Sequence, residues 1–348
     1  LGPCLGTLAD FKGFKKNIFL ASLLFGAIGC MILGFLTSWI WFLLLFVLAK
    51  SAYSVSLVIY DSMLTDVSAP ERMDEVSAHG YAWGYIGSCI PFILALLMVL
   101  FYEKIGISMG MAMTISFLLI ALWWLLLSVP ILRAYEQVYY IERSGHPVLS
   151  GMKRLGNVFK ELLHEKKILF FLLAFFFYID GVYTIIDMAT AYGTALGLDT
   201  TGLLLALLLT QFVAFPSALF FGRLSRKVPA SKIILLCVAA YFCVALYGIG
   251  LHAQYQFWIL AVCVGMFQGA IQSMSRSYFA KIIPPEKSGE YFGIYDICGK
   301  GASFMGTMLV SIISQLTGSV NYGVGALSVL FLFGFFFFLA ADRIPQSQ

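Results

Sequence analysis

Charged residues are scarce in this chain of 348 residues, at only 11%, whereas 61% are hydrophobic. A soluble domain carries about a quarter charged residues. Apolar runs of about 20 residues recur along the whole length, and each is long enough to cross a bilayer as a helix. A β-barrel would instead show short segments of alternating hydrophobicity. The sequence therefore predicts an all-α polytopic membrane protein embedded in a lipid bilayer.

Motifs that carry covalent chemistry are missing as well. The chain has no Gly-x-Ser-x-Gly, no His-Glu-x-x-His and no phosphate-binding Gly-x-x-x-x-Gly-Lys. Its seven cysteines form no Cys-x-x-Cys pair, and their apolar surroundings are typical of small buried residues. No basic face for nucleic acid accompanies the Lys and Arg residues. We therefore expect no enzyme, no cofactor, no metal site and no nucleic-acid partner, so that uphill transport has to use an ion gradient or another chain.

Two loop features each occur twice in the sequence, and the two copies are separated by nearly the same number of residues in both cases. The basic turn Gly6–Lys16 returns at Gly222–Lys232, with the opening glycines 216 residues apart (222 − 6), and the Pro-Glu steps at residues 70 and 285 are 215 apart (285 − 70). Such a repeat indicates two similar halves that run in the same direction, as in some transporters. Two apolar runs of the second half precede Gly222, but only five residues precede Gly6. We therefore interpret the chain as an N-terminally truncated monomer with about ten of twelve membrane helices.

Three regions follow along the chain. Residues 1–130 form an incomplete N-terminal bundle of four helices, the last of which ends before Pro130. Residues 131–167 form a polar connector with a weak helical pattern over 152–163, and residues 168–348 form a bundle of six helices. Of the 22 Lys and Arg residues, 19 (22 − 3) lie on the side of this connector. The positive-inside rule makes that side, with the connector and the C-terminus, cytoplasmic.

Five charged residues lie within apolar runs, where a charge at mid-bilayer costs roughly 2.5–3.5 kcal/mol. They are Lys50, Asp180, Asp187, Asp296 and Lys300. Asp180 and Asp187 are seven residues apart and share one helix face, with Tyr183 nearby. One hypothesis is that this face lines a central cavity in which Asp180 binds a proton or a substrate amine. The alternative is a structural ion pair between Asp180 and Lys50 or Lys300.

Two further pairs have the spacing of about one helical turn. Asp296 and Lys300 are four residues apart, which favours an ion pair along their own helix. Gln268 and Gln272 are also four apart, so both amides lie on one helix face and are candidates for substrate binding.

A pattern of small residues recurs every fourth position in the third apolar segment. Gly80, Gly84 and Ser88 line one helix face there, and such a face lets a second helix approach closely in lipid. We therefore predict a helix-packing role for these three residues. The alternative interpretation of this segment is that Tyr81 or Tyr85 lines the substrate pathway.

The turn at the start of the chain resembles the signature loop between the second and third helices of the major facilitator superfamily. The matching positions are Gly6, Asp10, Gly13, Lys15 and Lys16. The resemblance implies the two-bundle fold of that superfamily and a loop that gates the closed state through charge contacts on the cytoplasmic face. The repeat at Gly222–Lys232 has Ser225 where an acid would sit, so we expect it to contribute less.

Three stretches resemble one branch of that superfamily, the vacuole-effluxer-like proteins with their autophagy-related amino-acid effluxers and bacterial relatives. They are residues 77–88, residues 180–186, and residues 272–277 together with 291–295. The resemblance implies export of neutral amino acids in the fungal members, and the short loops favour a bacterial plasma membrane here. We predict a secondary transporter of a small solute that works by alternating access, in uptake or efflux, coupled to protons or another ion gradient. The alternatives are an uncoupled facilitator and a non-transporting receptor or assembly subunit.

Overall fold

The computed structural model describes residues 2–142, 156, 158 and 160–345. Ten of its helical stretches are long and apolar enough to cross a membrane, which confirms the predicted all-α membrane fold. The long helices are α1 (Phe14–Leu33), α2 (Trp39–Ser62), α3 (Met73–Leu100), α4 (Met109–Ala134), α5 (Lys166–Ala195), α6 (Thr200–Leu224), α7 (Ala230–Ile249), α8 (Gln254–Ile282), α9 (Ser288–Thr317) and α10 (Ser328–Arg343). Short helices at Gly2–Ala9, Leu64–Val67, Tyr102–Ile105 and Val320–Ala326 accompany them. Half of the weak helical pattern predicted over 152–163 lies outside the described residues.

Prolines interrupt none of these long helices. Pro91 lies inside α3, Pro130 inside α4 and Pro216 inside α6. The prediction that the fourth segment ends before Pro130 is therefore wrong, because α4 continues to Ala134. In membrane helices the backbone groups that a proline frees are satisfied by neighbouring groups, so the proline does not end the helix as it usually does in water.

The first of two compact units contains Leu1–Val67, Gly87–Asn157 and Pro284–Ile294. Within it, α1 packs against α2 and α4. A small apolar core joins these helices. It consists of Ala9, Phe19, Leu23, Val55, Ile59, Met63 and Tyr135. The core lies next to the turn at residues 10–13, so it fixes the backbone from which the charged side chains of that turn project.

The second unit contains Ser68–Ile86, Val158–Ile283 and Tyr295–Gln348. Within it, α5 packs against α10, while α8 packs against α6 and α7. Glycines permit the closest of these contacts. A Cβ on Gly334 of α10 would lie 2.7 Å from the Cβ of Tyr178, and one on Gly265 of α8 would lie 2.8 Å from the carbonyl oxygen of Thr210.

The units do not follow the three regions predicted along the chain. Residues 68–86 group with the second unit because Ala82 and Tyr85 pack against Ala214 and Ala218 of α6. Residues 284–294 group with the first unit, where a Cβ on Gly293 would lie 2.6 Å from the Cα of Pro3. The boundaries at 130 and 167 stay predictions, since the compact units group residues by contacts between parts of the chain far apart in sequence.

The close approach on α3 lies on a different face from the predicted one. A Cβ added at Gly84 would have no described atom within 4 Å, and Ser88 is exposed. The tight contacts involve Ala78 and Ala82, both fully buried. A helix-packing role for Gly80, Gly84 and Ser88 therefore stays a prediction without a described contact at Gly84.

Candidate functional site

Asp10 binds the start of α9, where it contacts Gly289, a residue 279 positions later in the chain. Its Oδ1 accepts a hydrogen bond from the backbone N–H of Gly289 at 2.7 Å, and its Oδ2 accepts one from the N–H of Glu290 at 3.0 Å. The first N–H groups of a helix lack partners within the helix and carry the positive end of the helix dipole. The buried carboxylate of Asp10 therefore caps α9 from outside.

Two glycines of the same turn are required by its geometry. A Cβ on Gly6 would overlap the carbonyl oxygen of Gly289, so the backbones there approach too closely for any larger residue. Gly13 immediately precedes α1 with φ of 75° and ψ of 4°, a left-handed conformation that glycine adopts without strain. Both positions predicted from the sequence are thus explained by backbone shape.

Lys15 lies in a buried charge network in the first unit. Its Nζ donates to Oδ2 of Asp66 and to Oγ of Ser288, both at 2.9 Å. The side chains of Lys15 and Asp66 are both 0% exposed. The neighbouring Lys16 donates from Nζ to the carbonyl oxygen of Tyr135 at 3.4 Å. Both of these lysines therefore bind groups in the first unit.

Asp66 accepts four hydrogen bonds from described residues. Besides Lys15, the hydroxyl of Tyr135 donates to Oδ2 at 2.6 Å, and the N–H groups of Val138 and Tyr139 donate to Oδ1 at 3.1 and 2.9 Å. Burial raises the pKa of Tyr135, and the adjacent charge of Asp66 raises this pKa further. The carboxylate is thereby well satisfied without Lys15, whereas Lys15 has no other carboxylate within the described part of its unit.

The repeated loop at Gly222–Lys232 also contacts the first turn of a long helix, in the second unit, but through a basic side chain instead of an acidic one. Arg226 lies four residues after Gly222 (226 − 222), as Asp10 lies four after Gly6 (10 − 6). Its Nε donates to Oε2 of Glu75, in the first turn of α3, at 3.1 Å, and this bond raises the pKa of Arg226. The expectation of a lesser contribution rested on Ser225, whereas the described ion pair of this loop is made by Arg226.

Two more contacts hold this start of α3. A Cβ on Gly222 would lie 2.6 Å from the Cβ of Ala78, so the loop glycine again permits a close backbone approach. Lys281, at the end of α8, donates to Oδ2 of Asp74 at 2.6 Å. Each acidic residue in the first turn of α3 therefore has a basic partner in the second unit.

Asp180 is fully buried in the middle of α5. Its Oδ1 accepts hydrogen bonds from the backbone N–H of Gly306 in α9 at 2.9 Å and from the hydroxyl of Thr184 at 3.3 Å. Its Oδ2 is buried and has no hydrogen-bond partner among the described residues. Within the described part of the second unit, Asp180 forms no ion pair, and Lys300 pairs with Asp296 instead.

The remaining charged candidates are more accessible than Asp180. The ammonium of Lys50 lies 5.1 Å from the ring centre of Tyr53 in the first unit. Asp187 is exposed although it shares a helix face with Asp180. Asp296 and Lys300 form the ion pair that their spacing predicted.

The two glutamines of α8 face Tyr85 of α3 within the second unit. The hydroxyl of Tyr85 donates to Oε1 of Gln272 at 2.8 Å. Gln268 is 5% exposed, and its Oε1 is buried without a described hydrogen-bond partner. One turn further, Arg276 donates from Nε to Oγ of Ser77 at 3.0 Å. Tyr85 also forms a side-chain hydrogen bond with Gln268, so α3 engages both glutamines, and Oε1 of Gln268 is left without a described donor.

A small cleft lies beside Thr184 in the second unit. Its walls are mainly aliphatic and aromatic, and its polar side-chain groups are the hydroxyls of Thr184 and Tyr192. These two hydroxyls already donate to Asp180 and to the carbonyl oxygen of Gly248. An apolar cleft whose hydroxyls are engaged in this way is poorly suited to orienting a charged solute.

Several of these partners were not singled out from the sequence. Asp66 and Ser288 lie at helix ends in loops that looked merely polar, and Tyr135 follows a membrane segment without a motif. An available signal was the acid at the end of the short helix Leu64–Val67, which lies beside a strongly apolar segment. Gly306 gave no signal, since its functional group is a backbone N–H.

Ten apolar helices in the described residues, a buried carboxylate within one of them and charged loops that bind helix ends are features of a multi-pass membrane protein, and two sequence matches identify it as a transporter. The sequence profile described as "Vacuole effluxer Atg22 like" matches residues 1–344. The "Uncharacterized MFS-type transporter YxiO" of Bacillus subtilis is 41% identical over 338 residues, covering 96% of this chain and 79% of that protein. The chain therefore belongs to the vacuole effluxer Atg22-like family of major facilitator superfamily transporters, which are not enzymes.

More distant relatives agree with this placement. "Autophagy-related protein 22-1" of Aspergillus niger is 27% identical over 287 residues, covering 74% of this chain and 45% of that protein, so the chain spans less than half of that relative. The crystal structure of a variant of the E. coli fucose:proton symporter FucP superposes with a TM-score of 0.75 at 14% identity, over 99% of this chain and 87% of that one. That superposition shows the shared fold.

Proposed function

We propose that this transporter is coupled to protons at Asp180 and moves a small solute by alternating access. The observation that carries the proposal is the environment of Asp180, which is fully buried in a membrane helix and forms no ion pair within the described part of its unit. An ionised carboxylate in such a place is costly. Intramembrane acids without a structural partner are therefore good candidates for proton binding.

The hydrogen bonds of Asp180 suit both charge states. When it is ionised, Oδ1 is stabilised by Gly306 and Thr184. When it is protonated, the proton resides on Oδ2, where no described donor competes with it. This asymmetry supports a group that gains and loses a proton during a transport cycle.

The charged turn supplies the proposed gate. Asp10 holds the first turn of α9, and Lys15 joins Asp66 to Ser288 at the same helix end. Each opening of the gate has to break these contacts, so their strength sets how long the closed state lasts. The connector and the C-terminus belong, in this proposal, to the cytoplasmic side.

The solute class is proposed from the family. The family description names a vacuole effluxer, and we infer a small solute, with neutral amino acids as the first group to test. The relative in Bacillus subtilis supports a bacterial plasma membrane as the location. Gln268, with its available amide oxygen, is the polar group that we assign to solute binding.

The test is flux into proteoliposomes that contain the purified full chain. Neutral amino acids are supplied with and without an imposed proton gradient, for the wild type, Asp180→Asn and Asp199→Asn. Asp199 caps α6 by accepting from the N–H of Gly202, and asparagine preserves that cap, so this variant is the matched charge control. We expect gradient-driven accumulation in the wild type and the control, and only equilibration with Asp180→Asn. Full accumulation by Asp180→Asn would refute the coupling role and favour an uncoupled facilitator.

A further inference from the structure

Gly306 makes an unusual hydrogen bond for a residue in the interior of a helix. It lies in α9, which runs from Ser288 to Thr317, and its N–H donates to Oδ1 of Asp180 at 2.9 Å. In a regular helix the same N–H serves the carbonyl four residues earlier. The carboxylate of Asp180 therefore competes for a backbone donor that the helix itself uses.

Only glycine permits this contact. A Cβ on Gly306 would overlap Oγ1 of Thr184 and would lie 2.6 Å from Oδ1 of Asp180. Gly299 and Gly301 lie within two turns of it in the same helix, and glycines make a helix easier to deform. A side-chain acceptor that enters the hydrogen-bond ladder is a recognised cause of helix bending.

The surroundings leave this bond without a charged competitor. Asp180 accepts one hydrogen bond from Thr184 of its own helix and one from Gly306 of α9. Among the described residues, no side chain of α6, α7, α8, α10 or the helix Val320–Ala326 forms a hydrogen bond or ion pair with its carboxyl group. Phe331 of α10 lies instead against Gly181, as an apolar cover. The charge of Asp180 is thus felt mainly by the two donors.

We infer that the N–H of Gly306 reports and transmits the protonation state of Asp180 to α9. An ionised carboxylate attracts the N–H more strongly than a neutral one, because hydrogen bonds to charged groups are roughly twice as strong as neutral ones. Protonation of Asp180 weakens this bond and returns the N–H to the helix ladder. The local geometry of α9 then changes with the charge on α5. This inference rests on the proposed function, since it assumes that Asp180 titrates.

The sequence offers a direct way to observe this single N–H. Met-Gly steps occur twice in the chain, at Met109–Gly110 and Met305–Gly306. Labelling methionine with ¹³C at the carbonyl and glycine with ¹⁵N selects these two amides in a carbonyl-filtered NMR spectrum of the protein in lipid nanodiscs. Gly110, in the first turn of α4, is the internal reference.

The experiment is a pH titration of these two signals in the wild type, Asp180→Asn and Thr184→Val. We expect the proton signal of Gly306 to lie downfield at high pH and to move upfield as Asp180 takes up a proton, with Gly110 unchanged. Asp180→Asn should keep the signal at its low-pH position throughout. Thr184→Val removes the other donor and should leave the titration of Gly306 in place.

Two results would overturn the inference. If Asp180→Asn shifts the Gly306 signal but a change of pH does not, the hydrogen bond is static. If neither the substitution nor pH shifts the signal, the hydrogen bond does not form. The wild-type titration decides the matter even if a variant does not fold. Flux measurements separate this inference from the proposed function, since loss of coupling in Asp180→Asn with an invariant Gly306 signal would refute only the inference. A titrating Gly306 signal with proton-independent flux would refute only the coupling.

Discussion

The buried pair of Lys15 and Asp66 allows a prediction about which partner matters more. Replacing Asp66 by asparagine leaves the ammonium of Lys15 buried, with only Oγ of Ser288 as a described acceptor. Removing one partner of a buried ion pair typically costs about 3–5 kcal/mol, because an uncompensated charge remains. We expect Asp66→Asn to reduce the free energy of unfolding by about this amount.

Replacing Lys15 by methionine should cost less. Asp66 would keep the hydroxyl of Tyr135 and the two N–H groups of residues 138–139, and the methionine fills the volume of the lysine stem. The loss of one charged hydrogen bond from a group that retains three others is worth about 1–3 kcal/mol. The cost of this variant should therefore lie below that of Asp66→Asn.

The assay is thermal unfolding in lipid nanodiscs, followed by tryptophan fluorescence, for both single variants and the double variant. The double variant contains no unpaired lysine, so it should unfold at a higher temperature than Asp66→Asn alone. A double variant that unfolds at a lower temperature than Asp66→Asn would refute the reasoning. A larger loss for Lys15→Met than for Asp66→Asn would do the same.

Three further predictions concern the ends of helices. Gly6→Val should destabilise the contact with Gly289, because a Cβ overlaps its carbonyl oxygen; cysteine cross-linking across this contact should fall well below the wild-type yield, and an unchanged yield would contradict the overlap. Reversing the charges of Arg226 and Glu75 together should restore most of the unfolding temperature that either single reversal removes, and a double variant as unstable as the singles would show that their bond contributes nothing. Tyr135→Phe should resist alkaline unfolding, because the raised pKa of Tyr135 favours its neutral form in the folded state. In the wild type this stabilisation is complete below about pH 10. Above that pH it is lost at about 1.4 kcal/mol per pH unit, because Tyr135 ionises first in the unfolded state. If the free energy of unfolding falls with the same slope above pH 10 in the wild type and in Tyr135→Phe, the assignment is contradicted.

Apolar run length was sufficient to predict the membrane fold, since each helix has to satisfy its own backbone in lipid. The error at Pro130 concerns a position where lipid changes the usual rules. A proline usually ends a helix in water, but Pro130 lies inside α4. On α3 the packing role of Gly80, Gly84 and Ser88 stays a prediction, and the described tight contacts are made by Ala78 and Ala82 on another face. Alanine and glycine are both small, and spacing alone does not tell which of two small-residue faces is covered.

The candidate site was predictable only in part. Asp180 is recognisable because an acid in a long apolar run is rare and costly, and Asp10 and Lys15 belong to a recognisable turn. Their partners are less visible. Gly306 and Gly289 act through backbone N–H groups, and a residue type does not reveal where such a group points. The buried network is thus a property of the folded chain more than of any motif.

The opposite polarity of the two loop contacts has a consequence for sequence variation within the family. Arg226 binds the side chain of Glu75, so a change at either position is tolerated best when the other changes with it. Asp10 binds backbone N–H groups of residues 289 and 290, which every residue except proline provides. An alignment of relatives should therefore show positions 75 and 226 varying together. Position 10 should stay acidic, and positions 289 and 290 should not covary with it.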